Sequence, residues 1–355
     1  MTNFYIDHHL FSSDCKANLQ SNGFFSPDHR LLYVATPKAA CTTFKWWFAD
    51  LIDITDAVCC AHGSNESSPD LVIHDLLGHV SPNSTGLSIE KLSVVINSSN
   101  YFRFCLVRNP FSRIFSAWQS KWLLREPLQV GPYRNYPFFT LPISNAIDVA
   151  MAFEAFLEHL KNFEYPHILD PHVKSQFSLL CPDLIPYSIV SKLEDSSKLC
   201  ADLELHLCAA YKSPFSFGKK NESLIAYHSD LITDRSEALI REMYAVDFDY
   251  FGYSTSKPST TVDLDENVLR VALSAVEMLR GRHQRTDEMR SEYKSQIENT
   301  KNELFELQKV IDQQYNNFIK LEQMQHQSRE EIVRAEAQLM LLKDLLLSDG
   351  TFERL

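Results

Sequence analysis

Apolar runs alternate with amphipathic stretches through the first two thirds of the chain. Residues 31–36 form a nearly continuous apolar run that predicts a buried strand, and the aromatic-rich stretch 42–52 predicts the helix after it. Residues 101–107 predict a second strand, which leads into a helix after Pro110, a residue suited to a first helical turn. A third helix is predicted over 147–160. This alternation is typical of an α/β fold with a central parallel sheet.

After residue 258 the pattern changes to a heptad repeat, and glycine and proline become scarce. Mainly apolar positions recur in two series three residues apart, and their 3-4 alternation continues without a break to residue 346, although Gln314, Gln325 and Ser328 weaken the centre of the stripe. The first series is Ile297, Leu304, Ile311, Phe318, Gln325, Ile332, Leu339 and Leu346, and the second is Thr300, Leu307, Gln314, Leu321, Ser328, Ala335 and Leu342. This heptad stripe predicts a left-handed coiled coil, because an isolated helix would leave the stripe in water.

These patterns divide the chain into three parts. We expect an N-terminal lead-in over 1–30, an α/β domain over 31–257 and a helical coiled-coil extension over 258–355. The extension is expected to form a homo-oligomer or to pair with a helix of another protein. Residues 88–95 are expected to lead toward the second strand, and the stretch 127–142, rich in Pro, Tyr and Phe, to form a long loop.

Composition narrows the possible partners of the chain. With 355 residues, of which 45% are hydrophobic, the chain is long enough for a sizeable core. The formal net charge of −12 argues against a nucleic-acid partner, because binding to phosphate backbones needs a broad basic face. The eight cysteines lack the spacing of a zinc site, and no metal is expected. A local basic pocket for one small anion is compatible with this charge.

The loop between the first predicted strand and its helix has the features of an anion cradle. It reads Pro37-Lys38-Ala39-Ala40-Cys41-Thr42-Thr43. The start of a helix leaves backbone N–H groups unpaired and carries about half a positive charge, so it attracts phosphate or sulfate. Lys38 adds a full charge, and the small residues after it allow close backbone approach. The glycines of a nucleoside-triphosphate P-loop are missing, which weakens that interpretation.

Arg108, at the end of the second predicted strand, is a second candidate anion ligand. A guanidinium can contact a phosphate through two hydrogen bonds, which a lysine cannot reproduce. Ser116 lies about two turns into the following helix and reaches the same phosphate if the helix runs beside it. An arginine taken alone is more often part of a surface ion pair. Arg113 has two open interpretations, a structural contact or a secondary ligand.

Two segments in the same order resemble a known enzyme family. Residues 37–45 resemble the 5′-phosphosulfate loop, and residues 104–118 the 3′-phosphate element, of carbohydrate sulfotransferases of the family 2 type, which use 3′-phosphoadenosine 5′-phosphosulfate (PAPS). The resemblance implies a three-layer, P-loop-like sulfotransferase fold. It also implies metal-free transfer of a sulfuryl group from this donor to a hydroxyl, expected on a carbohydrate. The donor-binding residues that it implies are Lys38, Ala39, Ala40, Cys41, Thr42, Thr43, Arg108, Ser116, Lys220, Asn221 and Ser223.

Two further segments match the same family more loosely. Residues 170–194 resemble the region in which a strand returns to the sheet and a Lys-x-Glu signature follows. Residues 219–223 resemble the segment that folds over the nucleotide. There Lys220, Asn221 and Ser223 would contact the 3′-phosphate and the adenine edge. Taken alone, this segment has the composition of a solvated turn.

Sulfuryl transfer also needs a base beside the acceptor hydroxyl. His62, His74 and His79 lie between the two donor segments. Gly78-His79-Val80-Ser81 resembles the stretch that bears the catalytic histidine of uronyl 2-O-sulfotransferases, so His79 is the expected base and acts with Lys38 in catalysis. The unperturbed pKa of a histidine, near neutrality, suits this role. A hydrogen bond to a loop carbonyl is the alternative role for His79, and His172 is the second choice of base.

The sequence shows no sign of membrane targeting. The N-terminus has no basic start followed by an apolar stretch, and no window of about 18 apolar residues occurs. Animal members of the family usually carry a type II anchor and work in the Golgi lumen, whereas for this chain we expect a soluble, cytoplasmic enzyme. The acceptor stays open among a glycan, a lipid-linked sugar and a small alcohol. Aromatic residues that either stack on sugars or pack in the core are Trp118, Trp122, Tyr133 and Tyr136.

Two other functions compete with this interpretation. A nucleotide-dependent kinase would need a glycine-rich loop and a metal-holding acid after a strand, and the sequence shows neither. A non-catalytic coiled-coil adaptor with a vestigial nucleotide-binding domain would fit the heptad stripe. The joint presence of Lys38, His79, Arg108 and Ser116 argues for an enzyme.

Overall fold

The computed structural model describes residues 11–66, 68–128, 131–134, 136–165, 170–217 and 223–348. The chain forms two compact units, which divide between Gln284 and Arg285. The first unit holds a sheet and both predicted donor segments. The described part of the second unit is helical and carries the heptad stripe.

A four-stranded sheet lies in the first unit. Its strands, in the order in which they lie side by side, are β1 (Gly23–Ser26), β2 (Leu31–Val34), β3 (Phe102–Val107) and β4 (Ile189–Lys192). β1 pairs antiparallel with β2, whereas β2, β3 and β4 are parallel neighbours. The two strands predicted from sequence are confirmed, each within two residues, and the sheet is parallel except at its β1 edge.

Helices surround this sheet. The α-helices of the described residues are α1 (Ser13–Asn22), α2 (Cys41–Leu51), α3 (Thr55–Cys60), α4 (Ile73–Val80), α5 (Ile89–Asn97), α6 (Pro110–Trp118), α7 (Ala146–His159), α8 (Gln176–Leu180), α9 (Ser197–Leu207), α10 (Asp234–Met243), α11 (Ala245–Phe251) and α12 (Glu266–Ser348). Short π-helical turns at Gln119–Leu123 and Leu160–Glu164 continue α6 and α7. Turns of 3₁₀ helix lie at Gly131–Tyr133, Pro137–Phe139, Cys208–Ala210, Pro214–Phe217 and Ser229–Leu231. α2 and α7 confirm the predicted helices, each shifted by one residue.

The sheet is covered by helices on both faces, because successive side chains of a strand point to opposite sides. Tyr33 and Phe104 belong to a hydrophobic cluster with α2, α4 and α9. Val34 and Cys105 belong to another cluster, with α1 and α5. All four side chains are buried. β2 and β3 therefore form the middle of three layers, as strands that are apolar on both faces require.

The expected lead-in is part of the fold. Cys15 and Leu19 of α1 are buried in the cluster that includes β2 and β3, and β1 supplies the antiparallel edge of the sheet. Residues 88–95, which were expected to lead toward the second strand, belong to α5. The hydroxyl of Ser88 accepts a hydrogen bond from the backbone N–H of Lys91 at 3.3 Å and so caps this helix.

The first unit also extends beyond the expected boundary at residue 257. A third hydrophobic cluster joins α6, α7 and α10 to the start of α12, where Leu269, Leu273 and Val276 are buried. This part of the helix packs on the core because its apolar side chains recur at helical spacing. The division between the units therefore follows Gln284.

The second unit bears out the helical prediction for the C-terminal part of the chain. The large apolar side chains of the heptad stripe are between 49% and 67% exposed. The coiled coil itself stays a prediction. Among the described helices, none combines the length and the apolar content that crossing a membrane requires.

Candidate active site

The predicted anion cradle lies where β2 ends and α2 begins. Lys38 and Ala40 have left-handed backbone angles, with φ of +68° and +56°. Such angles are uncommon outside glycine and tend to be held in place at functional turns. Ala40 is the N-cap of α2, and no described side chain caps the helix there. The helix start therefore keeps the character of an anion site.

The structure brings Lys38 and Arg108 together. Because β2 and β3 are parallel neighbours, their carboxyl ends lie at the same edge of the sheet. There the guanidinium of Arg108 donates through Nη1 to the carbonyl of Lys38 at 3.2 Å and through Nε to Ser112 Oγ at 3.1 Å. The two segments predicted to bind the donor thus form one site, with a cation from each.

Gln176 fixes the backbone of Arg108. Its fully buried side chain accepts from the N–H of Arg108 and donates to the carbonyl of Arg108, both at 2.9 Å. Asp247, also buried, accepts a hydrogen bond from the Ser175 hydroxyl at 2.6 Å. It accepts two more from the backbone N–H groups of Gln176 and Phe177, each at 2.9 Å. These bonds join the end of β3 to the start of α8.

Arg113 makes structural contacts, which is the first of the two roles considered for it. Its side chain is 1% exposed. It donates through Nε to the carbonyl of Pro37 at 3.0 Å and through Nη1 to that of Lys174 at 2.7 Å. Burial lowers the pKa of its guanidinium, although the nearby carboxylate of Asp247 acts in the opposite direction. Arg113 thereby ties the cradle loop to the turn that precedes α8.

Ser116 and Ser223 meet across the site, with their hydroxyl oxygens 3.0 Å apart. Gln119, in the π-helical turn after α6, exchanges two hydrogen bonds with the backbone of Ile225, at 2.9 and 3.0 Å. These contacts hold residues 223–225 beside α6. The other predicted ligands of this segment, Lys220 and Asn221, lie outside the described residues.

His172 and Asp170 form an imidazole–carboxylate pair near the cradle. Asp170 Oδ1 lies 2.9 Å from His172 Nδ1 and 2.8 Å from the backbone nitrogen of His172. Burial lowers the pKa of His172 to about 4, and the charges of Lys121 and Lys38 add to this, while the bond to Asp170 opposes it. Burial alone would raise the pKa of Asp170, but the hydrogen bonds from His172 outweigh it and lower that pKa. His172 is therefore neutral at pH 7, with Nδ1–H directed at the carboxylate and an unprotonated Nε2.

His74 is a histidine of α4 that contacts the cradle. Its Nε2 lies 3.0 Å from Thr42 Oγ1, and its Nδ1 lies 2.9 Å from Lys45 Nζ. Burial lowers the pKa of His74 well below its ordinary value, and the charges of Lys45, Lys121, Lys38 and, when protonated, His172 lower it further. Sequence reasoning placed His74 among the candidate bases but did not connect it with Thr42.

His79, the base expected from the sequence, lies on another side of α4. It follows His74 by five residues, which places it about 140° further around the helix. Its side chain is exposed, as is that of His62. The role of His79 as a base stays a prediction, and the described hydrogen bonds to the cradle from α4 come from His74.

Lys121 is a cation of the site that sequence reasoning missed. It lies in the π-helical turn after α6, is 8% exposed, and has its Nζ 3.8 Å from Glu126 Oε2. Burial lowers the pKa of Lys38 to about 7, and the charge of Lys121 lowers it in the same direction. A π turn contains an extra residue, which helical periodicity does not predict, so the sequence offered no signal for Lys121.

The aromatic residues proposed for sugar contact divide into two groups. Trp118 and Trp122 are each 2% exposed and pack in the cluster of α6 and α7. Tyr133 is half-buried, and Tyr136 is exposed. The two tryptophans are therefore core residues, and a sugar contact by the tyrosines stays a prediction.

A model of the sulfotransferase family matches residues 21–254, more than half of the chain. The chain belongs to the sulfotransferase family. The match includes both donor segments, the His172 region and Ser223, so the family predicted from residues 37–45 and 104–118 is confirmed. The mixed sheet and its covering helices agree with the fold expected for this family.

Curated relatives of this sulfotransferase carry the name of carbohydrate sulfotransferases. Carbohydrate sulfotransferase 10 of Xenopus laevis is 26% identical over 255 residues, which are 65% of this chain and 66% of that protein. Carbohydrate sulfotransferase 12 of Mus musculus is 27% identical over 285 residues, which are 73% of this chain and 64% of that protein. Carbohydrate sulfotransferase 11 of Danio rerio is 26% identical over 246 residues, which are 64% of this chain and 65% of that protein. The chain thus spans slightly less than two thirds of the length of these relatives. No solved structure matches it.

Proposed function

We propose that this protein transfers a sulfuryl group from PAPS to a hydroxyl group of a carbohydrate. The observation that carries the proposal is the hydrogen bond from Arg108 to the carbonyl of Lys38, which joins two cations in one site. A donor with anionic groups on both sides of an adenosine needs two such anion sites at a fixed separation. The carbohydrate acceptor is proposed from the names of the relatives.

The residues at the cradle fit the phosphosulfate end of this donor. Lys38 and the helix start supply positive charge, and Thr42 and Thr43 supply hydroxyls. Thr36 adds a buried hydroxyl oxygen that has no hydrogen-bond partner among the described residues. When bound, the donor supplies an activated sulfuryl group that leaves a phosphate behind. Lys38 and the N–H groups of α2 would stabilise the charge that develops on that phosphate.

The second anion site fits the 3′-phosphate. Arg108 offers a planar guanidinium, and the hydroxyls of Ser116 and Ser223 lie 3.0 Å apart beside α6. Gln119 holds the segment that contains Ser223, through its two bonds to Ile225. Lys220 and Asn221 remain predicted ligands of the same phosphate and of the adenine edge.

We assign the base to His172. Its Nδ1–H is directed at Asp170, so Nε2 carries the lone pair that would accept the proton of the acceptor hydroxyl. Its pKa of about 4 keeps the ring unprotonated at neutral pH. Asp170 orients the ring and would stabilise the imidazolium that forms, the role of a carboxylate next to a catalytic histidine.

Calorimetry with 3′,5′-adenosine bisphosphate and with ATP tests the donor assignment. We expect the bisphosphate to bind more tightly, because the 3′-phosphate has its own site. Arg108→Met should weaken the bisphosphate by at least about tenfold, the effect of losing a charge-assisted contact, and should leave adenosine 5′-monophosphate within about twofold. Equal affinity for the two nucleotides would reject the assignment.

Transfer assays on two histidine variants test the base. His172→Ala should lower kcat by about a hundredfold or more, with the bisphosphate affinity within about twofold of the wild type. His79→Ala is the matched comparison, because His79 is the base expected from the sequence. Full activity in His172→Ala together with loss in His79→Ala would return the role to His79.

The predicted coiled coil of the second unit is also part of this proposal. The exposed heptad stripe is proposed to bind a second copy of the chain, because each large apolar side chain in it would be buried in a two-stranded coiled coil. A cytoplasmic location also remains a proposal.

A further inference from the structure

Lys45, His74 and Thr42 form a hydrogen-bonded network at the start of α2, in which Lys45 and Thr42 are buried and His74 is half-buried. Lys45 Nζ lies 2.9 Å from His74 Nδ1, and His74 Nε2 lies 3.0 Å from Thr42 Oγ1. Lys45 is 3% exposed and Thr42 is 5% exposed. Burying an ammonium next to a second titratable group is costly unless the contacts compensate for lost hydration. Neither Lys45 nor His74 has a part in donor binding or proton transfer as assigned above.

The direction of both hydrogen bonds follows from the chemistry of Lys45. Burial lowers the pKa of Lys45, but Nζ carries hydrogens in either protonation state and donates, so His74 Nδ1 accepts and carries no proton. The proton of the neutral ring is then on Nε2, which donates to Thr42 Oγ1. Burial and the neighbouring Lys45 both lower the pKa of His74, which keeps the ring neutral.

The bond from His74 leaves the hydroxyl proton of Thr42 free for another acceptor, such as an anion. One lone pair of Oγ1 is taken by His74, so the hydroxyl proton is directed to another acceptor. Thr42 is the second residue of α2, at the same end of the helix as the backbone N–H groups of the cradle. The hydroxyl rotamer that directs its proton at His74 is thereby excluded, which favours donation from Thr42 to the anion.

We propose that Lys45 and His74 position the hydroxyl of Thr42 as a hydrogen-bond donor to the 5′-phosphate of the bound nucleotide. This inference rests on the proposed function, because it assigns that phosphate to the cradle. His74 is a positioning residue, since it acts through Thr42 and not on the reacting atoms. Lys45 selects the ring tautomer that makes the positioning work.

Calorimetry on the full chain with two nucleotides tests the proposal. The probes are 3′,5′-adenosine bisphosphate and adenosine 3′-monophosphate, which lacks the 5′-phosphate. We expect Thr42→Val and His74→Ala each to weaken the bisphosphate by about tenfold and to leave the monophosphate within about twofold. Lys45→Met should act in the same direction. His74→Gln, whose amide can donate to Oγ1, should recover most of the lost affinity.

A double variant separates positioning from a general structural role. If His74 acts through the hydroxyl of Thr42, the Thr42→Val/His74→Ala chain should bind the bisphosphate no more weakly than Thr42→Val alone. His206→Ala is the matched control. His206 is a half-buried histidine that hydrogen-bonds the carbonyl of His29 at 2.9 Å, and its loss should leave both affinities unchanged.

Several results would overturn the proposal. Additive losses in the double variant, or equal weakening of both nucleotides, would show that His74 only supports the fold. Unchanged bisphosphate affinity in His74→Ala would refute the positioning role while the proposed function stands. A wild-type chain that fails to bind the bisphosphate would refute the proposed function itself. If His74→Ala does not fold, Lys45→Met and Thr42→Val provide the same comparison.

Discussion

The charge of Lys38 is expected to depend on whether an anion is bound beside it. It lies in a left-handed turn, and burial together with Lys121 lowers its pKa to about 7. A phosphate beside the ammonium would favour the charged form and raise that pKa again. The free site therefore holds a lysine that is partly neutral at physiological pH, and the occupied site holds a cation.

Binding of 3′,5′-adenosine bisphosphate should therefore take up protons at about pH 7 to 9. The free Lys38 loses its proton as the pH rises through about 7, whereas the bound lysine keeps it, so affinity should fall with rising pH. Calorimetry in buffers of different ionisation enthalpy measures the uptake. Lys38→Arg, which stays charged, is the control that should abolish it. The same uptake in both proteins would assign the proton to another group.

The rate of transfer should be insensitive to acid down to about pH 5. A base must be unprotonated to accept a proton, and His172 gains its proton only as the pH falls through about 4. The dependence of kcat on pH checks this, with circular dichroism at each pH to show that the fold persists. A decline centred on the ordinary histidine pKa, about 6.5, would contradict the assignment to His172.

Some site residues could be predicted from the sequence, and their positions explain why. Lys38, Arg108 and Ser116 each follow the end of a strand in a recognisable motif, so their proximity follows from a parallel sheet. Lys121 carries no local signal, because its place in the site comes from a π turn and from its proximity to Lys38 in the folded chain. The missed residue is thus one whose role depends on packing between elements.

At the scale of elements, the start of α8 acts as a clamp on the end of β3. Gln176 pairs with both backbone groups of Arg108, and Asp247 holds Gln176 from the other side. Because the guanidinium starts from this fixed backbone, its position depends on α8 as much as on β3. The clamp thus connects the stability of the fold with the geometry of the proposed 3′-phosphate site.

Gln176→Leu should lower the free energy of unfolding by about 2–4 kcal/mol, because it leaves a buried N–H and a buried carbonyl of Arg108 without partners. The affinity for the bisphosphate should fall as well. Chemical denaturation and calorimetry measure the two effects. Gln313→Leu, an exposed glutamine in α12, is the control. A change in stability below about 0.5 kcal/mol, the usual range for surface substitutions, would show that the clamp has no energetic role.

Element prediction succeeded where one pattern decided the structure. β2 and α2 follow from an apolar run and an amphipathic stretch, which packing on the sheet reinforces. α5 was missed because its apolar residues were taken as an approach to a strand, although Ser88 caps a helix there. β1 was missed because only Phe24 and Phe25 of its four residues are apolar, which is too short a run to predict a strand.

At the scale of the whole molecule, the donor site and the heptad stripe belong to different units. All described donor residues precede Gln284, and the stripe follows it. The division at Gln284 could not be read from composition, because α12 continues through it and includes the neighbouring Gly281 within the helix. Substitutions in the first unit are therefore expected to change sulfuryl transfer, and substitutions in the heptad stripe to change self-association.

Leu321→Asp should reduce self-association, because it places a charge at the centre of the heptad stripe. Gln323→Asp, two residues further on and outside the stripe, is the matched control and should leave association unchanged. Sedimentation velocity over a range of concentrations measures the effect, and turnover per chain should stay within about twofold. A wild-type chain that is monomeric at every concentration would contradict the coiled coil.

The π-helical turn at Gln119–Leu123 also bears on how family members are aligned. Removing one residue there would restore an ordinary helix and rotate the side chains before it by about 100° relative to those after it. Gln119 could then no longer hydrogen-bond Ile225 while Lys121 lies near Lys38 of the cradle. A relative with a single-residue gap at this place would need its cation at a different position. Residues after α6 in different family members are therefore best aligned by their structural contacts. A single-residue insertion or deletion there indicates a change in the side chains that face the ligand.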